Sequence, residues 1–547
     1  MINFFSKKLL LHVFSAILIS FIMIHFVSPD IVLAQGLINE NLEPITVLAN
    51  ELVTTTATVV SRDKIINRVY VTPADILKNS PGVAIFHFGQ GGAPDQIRLR
   101  GFVGGPQEGV AFFLDGVNFN DSGGIGDSSK INPIEIDNVE IIKGPSSVFY
   151  GNHASGGAVH YHTISNQNLS RINVTYGSFN TIDGSGIFSR VGELVNQTYS
   201  FQGYHTDGYR DYSDWDRYNL AARWTLHPNN SFSATLGVRN FYSDWNSAGW
   251  ARNDLPLKAQ AYDDGSGEGN GGTKEFRAVQ LDANYEISSE QNLKFNASFT
   301  DRDNIRYFKY SADSDYAEKD LIKSWGVGVL YELNTFIGDR KLNVTGGLNY
   351  LREDAHYQIW NLGLGRTYEK QTRDVNFNVN TFSAYGEILF DVIDSITLRT
   401  GVRYDRLTGD LTPNMTFIPN SSVPYTLEKG KTYKSKGFSI VSPKFGILFS
   451  PIDQLQIYAN YGRGFQSPDN SSLAFYYDPS QQISHRDQME FGFRSKPLDW
   501  IEFGAGYYRI DTSQDMEVDV PLHAYRFIGQ TVRTGVETYA DLSPVEN

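Results

Sequence analysis

The sequence has no cysteine among its 547 residues and only 5 methionines. Without cysteine, the protein forms no disulfide and offers no thiolate to a metal or a substrate. Beyond one apolar stretch near the N-terminus, no helical segment approaches the roughly 20 apolar residues that cross a bilayer. Basic residues are also scarce, with 47 Lys and Arg against 61 Asp and Glu. This balance argues against a nucleic-acid partner, because phosphate binding needs a basic face.

Common catalytic motifs are missing too. The chain has no G-x-S-x-G, no H-E-x-x-H and no Walker sequence, which are patterns of serine hydrolases, zinc peptidases and nucleotide-binding enzymes. Aromatic residues, by contrast, are abundant, with 31 Tyr and 35 Phe. Such residues are enriched in strands, so we expect a mainly β protein. Because the catalytic motifs are missing, we also expect that it is not an enzyme and carries no cofactor.

The N-terminus has the features of a secretory signal peptide. Lys7 and Lys8 precede an apolar stretch at 9–27, and Val32-Leu33-Ala34 supplies the small residue that signal peptidase needs. The alternative is a retained transmembrane helix, because the stretch is nearly long enough to span a bilayer. We favour removal of residues 1–34 and export of the remainder.

Runs of alternating apolar and polar residues recur from about residue 168 onwards. At 279–287 every odd position is apolar or aromatic and every even position is polar, which is the period of a strand with one apolar and one polar face. Similar runs occupy 293–299, 396–404 and 455–461. A β-sandwich alternates in the same way, so the pattern alone leaves a sandwich and a membrane barrel open.

Strand number and length favour the barrel. We count about 16 or 17 runs, many of about 10 residues, the length with which a tilted strand crosses a bilayer. Tight turns, such as 228–230, alternate with long polar segments at about 242–274, 302–321, 351–378 and 405–436. This asymmetry is typical of an antiparallel outer-membrane barrel, and it predicts the outer membrane of a Gram-negative cell as the location.

The segment 51–165 differs and contains frequent glycines. It includes a helix candidate at 72–79, with Thr72 as N-cap and Pro73 in the first helical position. Five ordered motifs in this segment resemble the plug domain of the TonB-dependent outer-membrane receptors. They are Ala74-Asp75-Ile76-Leu77 with Pro81-Gly82-Val83, Ile97-Arg98-Leu99-Arg100-Gly101, Phe113-Leu114-Asp115-Gly116-Val117, the run from Ile136 to Pro145, and Tyr150-Gly151 with Ala154-Ser155-Gly156-Gly157. The resemblance implies an N-terminal α+β plug in the lumen of an antiparallel barrel.

Glu43-Pro44-Ile45-Thr46-Val47 resembles the TonB box of this family. The resemblance implies that a TonB-like periplasmic energy transducer captures this extended segment by β-augmentation. An isolated Ile-Thr-Val triplet is usually an ordinary strand, and its position just ahead of the plug gives it weight. We divide the chain into a signal peptide (1–34), a TonB-box segment (35–50), a plug domain (51–165) and a β-barrel (166–547).

Barrels of this family have 22 strands, so by the family pattern about five or six C-terminal strands are missing. A barrel cannot leave an edge open in lipid, because each unpaired backbone group there costs several kcal/mol. We therefore expect a fragment or a truncated product with an open or distorted wall.

The family resemblance implies energy-coupled uptake of a scarce metal chelate, most often a ferric siderophore. The expected partners are the TonB-like transducer, the chelate and outer-membrane lipid, with no nucleic acid, and we expect a monomer. The alternatives are uptake of cobalamin or haem, and a passive porin-like channel, although a porin would lack both the plug motifs and the box.

Four plug charges are candidates for pairing with the barrel wall: Arg98, Arg100, Glu140 and Lys143. The alternative is a set of surface ion pairs, each contributing about 0–1 kcal/mol. Aromatic, amide and basic residues near the apex and in the loops suit a planar or catecholate ligand. These substrate candidates are Phe86, His87, Phe88, Gln90, Phe102, Gln107, Tyr209, Arg210, Tyr212 and Trp215, although Phe86 and Phe88 suit a plug core equally well.

His160 and His162 are two residues apart on a predicted strand and therefore share a face. Both imidazoles could approach one metal ion, but the sequence reveals no third ligand. The alternative is a hydrogen-bonded pair inside the plug, and we predict no metal site.

Overall fold

The computed structural model describes residues 57–87, 91–102, 109–120, 124–145, 148–248, 269–309, 315–363, 366–416, 426–435, 437–467, 483–498, 500–519 and 524–542. These residues form a small mixed domain followed by a large antiparallel barrel. None of the described helices is long and apolar enough to cross a membrane. The predicted signal peptide and TonB box lie outside the described residues.

The first domain is the plug, built from short strands and helices. In chain order these are β1 (Thr58–Val60), α1 (Arg62–Ile66), a 3₁₀ helix (Pro73–Asn79), β2 (Val83–Phe86), β3 (Gln96–Leu99), β4 (Val110–Leu114), β5 (Val117–Asn118), two 3₁₀ helices (Ser128–Lys130 and Pro133–Glu135), β6 (Ile136–Lys143) and β7 (Gly157–Thr163).

Five of these strands form one sheet in the order β1-β6-β7-β4-β5, and β2 pairs with β3 in a separate hairpin. Strand β4 runs parallel to β7, and the other neighbours are antiparallel. Leu77, Leu99, Phe112 and Tyr161 are fully buried members of the core that joins sheet, hairpin and helices. The helix candidate at 72–79 is thus a 3₁₀ helix that packs Leu77 into this core.

In the part of the second domain that the structure describes there are 17 strands, in agreement with the predicted count. They are β8 (Leu169–Tyr176), β9 (Ile182–Arg190), β10 (Val195–Thr206), β11 (Trp215–Asn229), β12 (Phe232–Asn246), β13 (Gly271–Ser288), β14 (Gln291–Lys309), β15 (Asp315–Ile337), β16 (Arg340–Gly363), β17 (Thr367–Ile393), β18 (Ile396–Pro413), β19 (Tyr433–Lys434), β20 (Phe438–Ile452), β21 (Leu455–Gln466), β22 (Ser484–Leu498), β23 (Ile501–Asp519) and β24 (Ala524–Leu542).

The wall is apolar outside and polar inside. In β10 the buried side chains are polar, as at Ser200 and Gln202, whereas Phe201 between them is 40% exposed. The predicted strand at 279–287 lies in β13 and turns Val279 and Leu281 outward. A soluble protein buries the apolar face instead, so this inverted pattern identifies a wall that faces lipid.

Two of the four predicted long loops are wrong. Residues 302–321 and 351–378 are largely strand, because β14 to β17 are 19 to 27 residues long and leave short connections. A bilayer needs about 9–11 residues per strand, so these strands extend well beyond it. Val375 and Phe377 of β17 are buried in an apolar cluster with Leu411 of β18, and antiparallel pairing continues there. The polar composition of these segments concealed the strands.

The strands follow one another in chain order around a closed ring in which β24 lies beside β8. The open wall expected from the strand count is therefore not observed. Helix α1 of the plug contacts both β24 and β8, through Lys64 to Asp541 (2.7 Å) and through a hydrogen bond from Arg171 to the Ile66 carbonyl (3.2 Å). The plug thus lies behind these two strands.

Candidate functional site: the plug against the barrel wall

A buried cluster of two cations and two carboxylates joins the plug to the wall. Arg100, directly after β3, donates from Nη1 to Glu490 of β22 (3.0 Å) and from Nε to Glu537 of β24 (3.2 Å). Lys143, the last residue of β6, donates to the second oxygen of Glu537 (3.2 Å). These four side chains are at most 8% exposed, so they are not the surface ion pairs of the alternative interpretation. We call these four residues the plug–wall ion cluster.

The two cations of this cluster respond differently to burial. Burial alone would lower the pKa of Arg100, but the nearby carboxylates of Glu490 and Glu537 outweigh it and raise this pKa. For Lys143 burial dominates and lowers the pKa, although Glu537 opposes it. The charge on Lys143 therefore depends on keeping Glu537 as its partner.

Motif glycines allow the wall to approach the plug closely. Gly82 has φ +70°, and a Cβ there would lie 2.1 Å from Oε1 of Glu537. Gly144 has φ +76°, and its Cβ would lie 1.9 Å from Oε1 of Gln488. A side chain at either position is disfavoured both by the left-handed backbone and by the barrel side chain opposite. These two glycines thus shape the surface that meets β22 and β24.

A second set of ion pairs between the plug and the wall has the charges reversed. Here plug carboxylates meet cations of β11, β12 and β13, which the sequence analysis did not identify. The pairs are Asp115–Arg223 (2.8 Å), Glu135–Arg239 (2.6 Å) and Asp127–Lys274 (2.7 Å). The available signal was a basic residue at an inward position of an alternating strand. Because plug cations face β22 and β24 while plug anions face β11 to β13, the charges specify one orientation of the plug.

Arg98 and Glu140 were predicted to pair with the wall and instead bind within the plug. Arg98 donates to Gln96 (2.6 Å) and lies over the ring of Phe86 (4.3 Å). Glu140 is fully buried on β6, which lies between β1 and β7 in the sheet, and it approaches His162 (2.9 Å). Glu140 lies in the middle of β6 and stays inside the domain, whereas Lys143 at the end of the same strand reaches the wall.

Two of the predicted substrate residues, Phe86 and His87, lie on an accessible part of the plug. Phe86 is 45% exposed and therefore not part of the plug core. His87 lies between Asp75 (3.4 Å) and Asp95 (2.6 Å). Hydrogen bonds to these two carboxylates raise the pKa of His87 to about 9, so its ring is charged at neutral pH. This part of the plug presents an aromatic ring beside a protonated imidazole.

Phe102 and Trp215 are buried in contacts between plug and wall. Phe102 is 3% exposed and lies between the guanidinium groups of Arg486 (4.1 Å) and Arg533 (4.4 Å). Trp215 is 6% exposed and packs with Tyr204 and Trp245. Neither side chain faces open space in this conformation, so the structure does not present them as a ligand surface. Aromatic residues that seal an interface have the same sequence signature as residues that stack on a ligand.

The remaining substrate candidates connect β10 to β11 or lie outside the described residues. Tyr209 is 51% exposed, Arg210 donates to the Ala248 carbonyl (3.4 Å), and the hydroxyl of Tyr212 accepts from the amide of Gly269 (3.2 Å). Phe88, Gln90 and Gln107 are not described, and neither are the five residues of the predicted TonB box.

Arg217 of β11 is a wall residue that reaches the plug. It is fully buried, with its guanidinium 4.9 Å from the ring centre of Tyr204 and 4.8 Å from that of Trp215. Its Nη2 donates to the carbonyl of Val71 in the plug (2.6 Å). This contact fixes the segment that leads into the first 3₁₀ helix.

His160 and His162 share a face of β7, as predicted, with ring centres 3.9 Å apart. Both rings are buried, and burial holds the pKa of His160 well below its ordinary value. The carboxylate of Glu140 lies close to both rings.

An apolar exterior, a polar lumen and a folded plug held by buried ion pairs define a plugged outer-membrane β-barrel. The sequence matches the TonB-dependent Receptor Plug Domain over residues 50–158 and the TonB dependent receptor-like beta-barrel over residues 155–543. The chain belongs to the TonB-dependent receptor family, whose members are outer-membrane transporters and receptors of Gram-negative bacteria rather than enzymes.

Similar proteins of known function include receptors for several cargoes. The chain is 30% identical over 156 residues to the vitamin B12 transporter BtuB of Vibrio vulnificus (28% of this chain, 25% of the relative). It is 32% identical over 107 residues to the hemin receptor of Yersinia enterocolitica (20% and 15%). It is 24% identical over 298 residues to the ferrioxamine receptor of the same species (52% and 41%). These matches therefore span less than half the length of each relative.

Solved structures agree over a larger part of the chain. The ferric citrate transporter FecA aligns with a TM-score of 0.75 at 15% identity, covering 89% of this chain and 74% of FecA. The ferric yersiniabactin uptake receptor FyuA from Yersinia pestis aligns with a TM-score of 0.73 at 15% identity, covering 90% and 77%. At this identity the likeness establishes the fold.

Proposed function

We propose that the protein takes up a scarce metal chelate, specifically a ferric siderophore, with energy delivered by a TonB-like periplasmic transducer. The observation that carries this proposal is the filled lumen. The plug is held there by buried ion pairs, in some of which the plug supplies the cation and in others the carboxylate. A passive channel needs no such plug, because a solute-sized opening must stay clear for diffusion. A barrel held shut in this way needs work to open it.

The fold offers a way to apply that work. The predicted box, Glu43 to Val47, precedes β1, which is a three-residue strand at the edge of the plug sheet and pairs only with β6. A pull on the box would therefore act first on this short edge strand. Release of β1 exposes the edge of β6, the strand that ends at Lys143.

The ligand surface that we propose combines Phe86 and His87 with Tyr209 between β10 and β11. The exposed ring of Phe86 suits an aromatic chelate through stacking, and His87, whose ring N–H groups are held by Asp75 and Asp95, borders this surface. Phe88, Gln90 and Gln107 remain candidates on sequence grounds. Cobalamin and haem are the alternative cargoes, since two of the similar proteins are a vitamin B12 transporter and a hemin receptor.

A growth assay tests both the cargo and the coupling. An iron-starved host without its own receptors should be rescued by a ferric chelate when it produces this protein, while parallel cultures receive haem or depend on cobalamin. Val47→Pro removes an amide donor from the predicted box, so uptake should stop while chelate binding to cells persists. Val47→Ile keeps the amide and serves as the matched control. Undiminished uptake by the proline variant would contradict the assignment of the box. Rescue by haem or cobalamin alone would show that the cargo is one of these and not a ferric siderophore.

A further inference from the structure

We propose that Glu140, His160 and His162 form a binding site for one divalent transition-metal ion, such as Zn²⁺, in the interior of the plug. The site lies where β6 pairs with β7, with Glu140 directly opposite His160 in the register. One ligand atom from each residue lies within 4.8 Å of the others. The proposal concerns a resident ion and does not depend on the cargo or on the proposed function.

The polar atoms of this cluster lack other partners. All three side chains are at most 2% exposed. Within the described part of the chain, both oxygens of Glu140, both ring nitrogens of His162 and Nδ1 of His160 have no hydrogen-bond partner. Nε2 of His162 approaches Oε1 of Glu140 at 2.9 Å, but without the alignment of a hydrogen bond. Buried polar groups almost always have a hydrogen-bond partner, so five polar atoms without one in a single cluster require an explanation.

A metal ion satisfies these groups together. Two imidazoles and one carboxylate are a known ligand set for Zn²⁺, with a fourth position left for water. Carboxylates and imidazoles on adjacent strands can converge because cross-strand neighbours on one face have Cβ atoms about 5 Å apart. The alternative that the sequence left open, a hydrogen-bonded histidine pair, is not what the structure contains, since neither ring nitrogen of His162 has a hydrogen-bond partner and the two rings are tilted by 33° with centres 3.9 Å apart.

The three ligands are not equivalent. Nε2 of His160 already accepts a hydrogen bond from the amide of Gly116 (2.8 Å), which places the proton of a neutral ring on Nδ1. Binding through His160 therefore requires that this hydrogen bond be given up or rearranged. Glu140 and His162 have no such competing bond, so we assign them as the principal ligands and His160 as the third.

The cluster lies close to the lumen. A cavity of about 160 Å³ lies between the plug and the wall, and Gly116 and Phe113 form part of its lining. The ring of Phe113 lies 5.8 Å from that of His160. The cluster is thus one residue behind the cavity surface, and because it is buried, an ion enters it by local opening of the plug or during folding.

Calorimetry with ZnCl₂ on the full chain in detergent tests the proposal. We expect about one equivalent of zinc, and at least a tenfold loss of affinity in Glu140→Gln and in His162→Gln, since even outer-shell partners of a metal contribute roughly 10–100-fold. His160→Gln should lose less. The matched control is His227→Gln, which removes a histidine of β11 outside the cluster and should bind zinc as the unmodified protein does.

Two results would overturn the site: no zinc binding by the unmodified protein at millimolar concentration, or equal affinity in the Glu140, His162 and His227 variants. Circular dichroism and resistance to heat in detergent establish which variants are folded. If the cluster variants do not fold, X-ray absorption of the zinc-loaded unmodified protein decides. Two imidazoles in its first shell support the site, whereas a shell of oxygen atoms only identifies adventitious surface binding.

Discussion

Replacing Glu537 by Gln tests whether the plug–wall ion cluster retains the plug. Glu537 is the carboxylate that Arg100 and Lys143 share, and its side chain is 8% exposed. The amide keeps the shape but removes the charge, so two buried cations are left with Glu490 as their remaining carboxylate. Removing one partner of a buried ion pair destabilises by about 3–5 kcal/mol, because the other charge stays buried without compensation.

An exposed pair on the same strand gives the matched control. Lys64 and Asp541 also join the plug to β24, but their side chains are 61% and 50% exposed. Asp541→Asn should therefore change plug retention by at most about 1 kcal/mol. A difference of about 3 kcal/mol between the two variants corresponds to roughly a hundredfold difference in the population of the released plug.

The assay is influx of a large antibiotic that intact outer membranes exclude, measured in cells that produce equal amounts of each variant. Glu537→Gln should leak and Asp541→Asn should not. Adding Lys143→Met to Glu537→Gln restores neutrality between Arg100 and Glu490, so leakage should fall back towards that of the unmodified protein. Such a double-mutant cycle isolates the coupling between the two residues. Equal leakage through the two single variants, or no recovery in the double variant, would refute the role of the cluster.

Two further predictions concern the plug. Gly82→Ala should leak as Glu537→Gln does, because its Cβ would displace the carboxylate of Glu537. The control is Gly101→Ala, which has the same φ of +70° but no atom within 4 Å of its Cβ, and it should leak less. Equal leakage through these two variants would show that backbone strain alone matters. Because the pKa of His87 is raised to about 9, its contribution to plug stability is fully present below its unfolded value of about 6.5 and is lost as pH rises through about 9. Thermal unfolding of the plug between pH 6 and 10 should show this loss, and His87→Gln should remove that part of the pH dependence; an unchanged profile in the variant would contradict the assignment.

Much of the fold could be predicted because barrel strands obey a local rule. Alternation in the run at 279–287 already separates the side chains that face lipid from those that face the lumen, and β13 places Val279 and Leu281 outward as predicted. The same rule gave the strand number. It did not give strand length, since β14 to β17 extend beyond the membrane through polar stretches in which pairing, rather than apolar patterning, holds the strands.

The plug charges show where sequence reasoning reaches its limit. Motifs identified Arg98, Arg100, Glu140 and Lys143 together, but only Arg100 and Lys143 lie at strand ends from which a side chain reaches the wall. Their partner Glu537 lies 437 residues after Arg100 and 394 residues after Lys143. No local pattern links positions so far apart.

The sequence by itself determined the class of protein: the order of plug and barrel, the strand number, and the division of each strand into an outer and an inner face. These follow from side-chain periodicity and from short motifs, which act over a few residues. Only the tertiary structure decided which inward charges meet, that Phe102 and Trp215 are buried, and that Glu140 joins His160 and His162. Such groupings depend on strand register and on how the plug is oriented in the barrel, and both arise from contacts between residues that are distant in sequence.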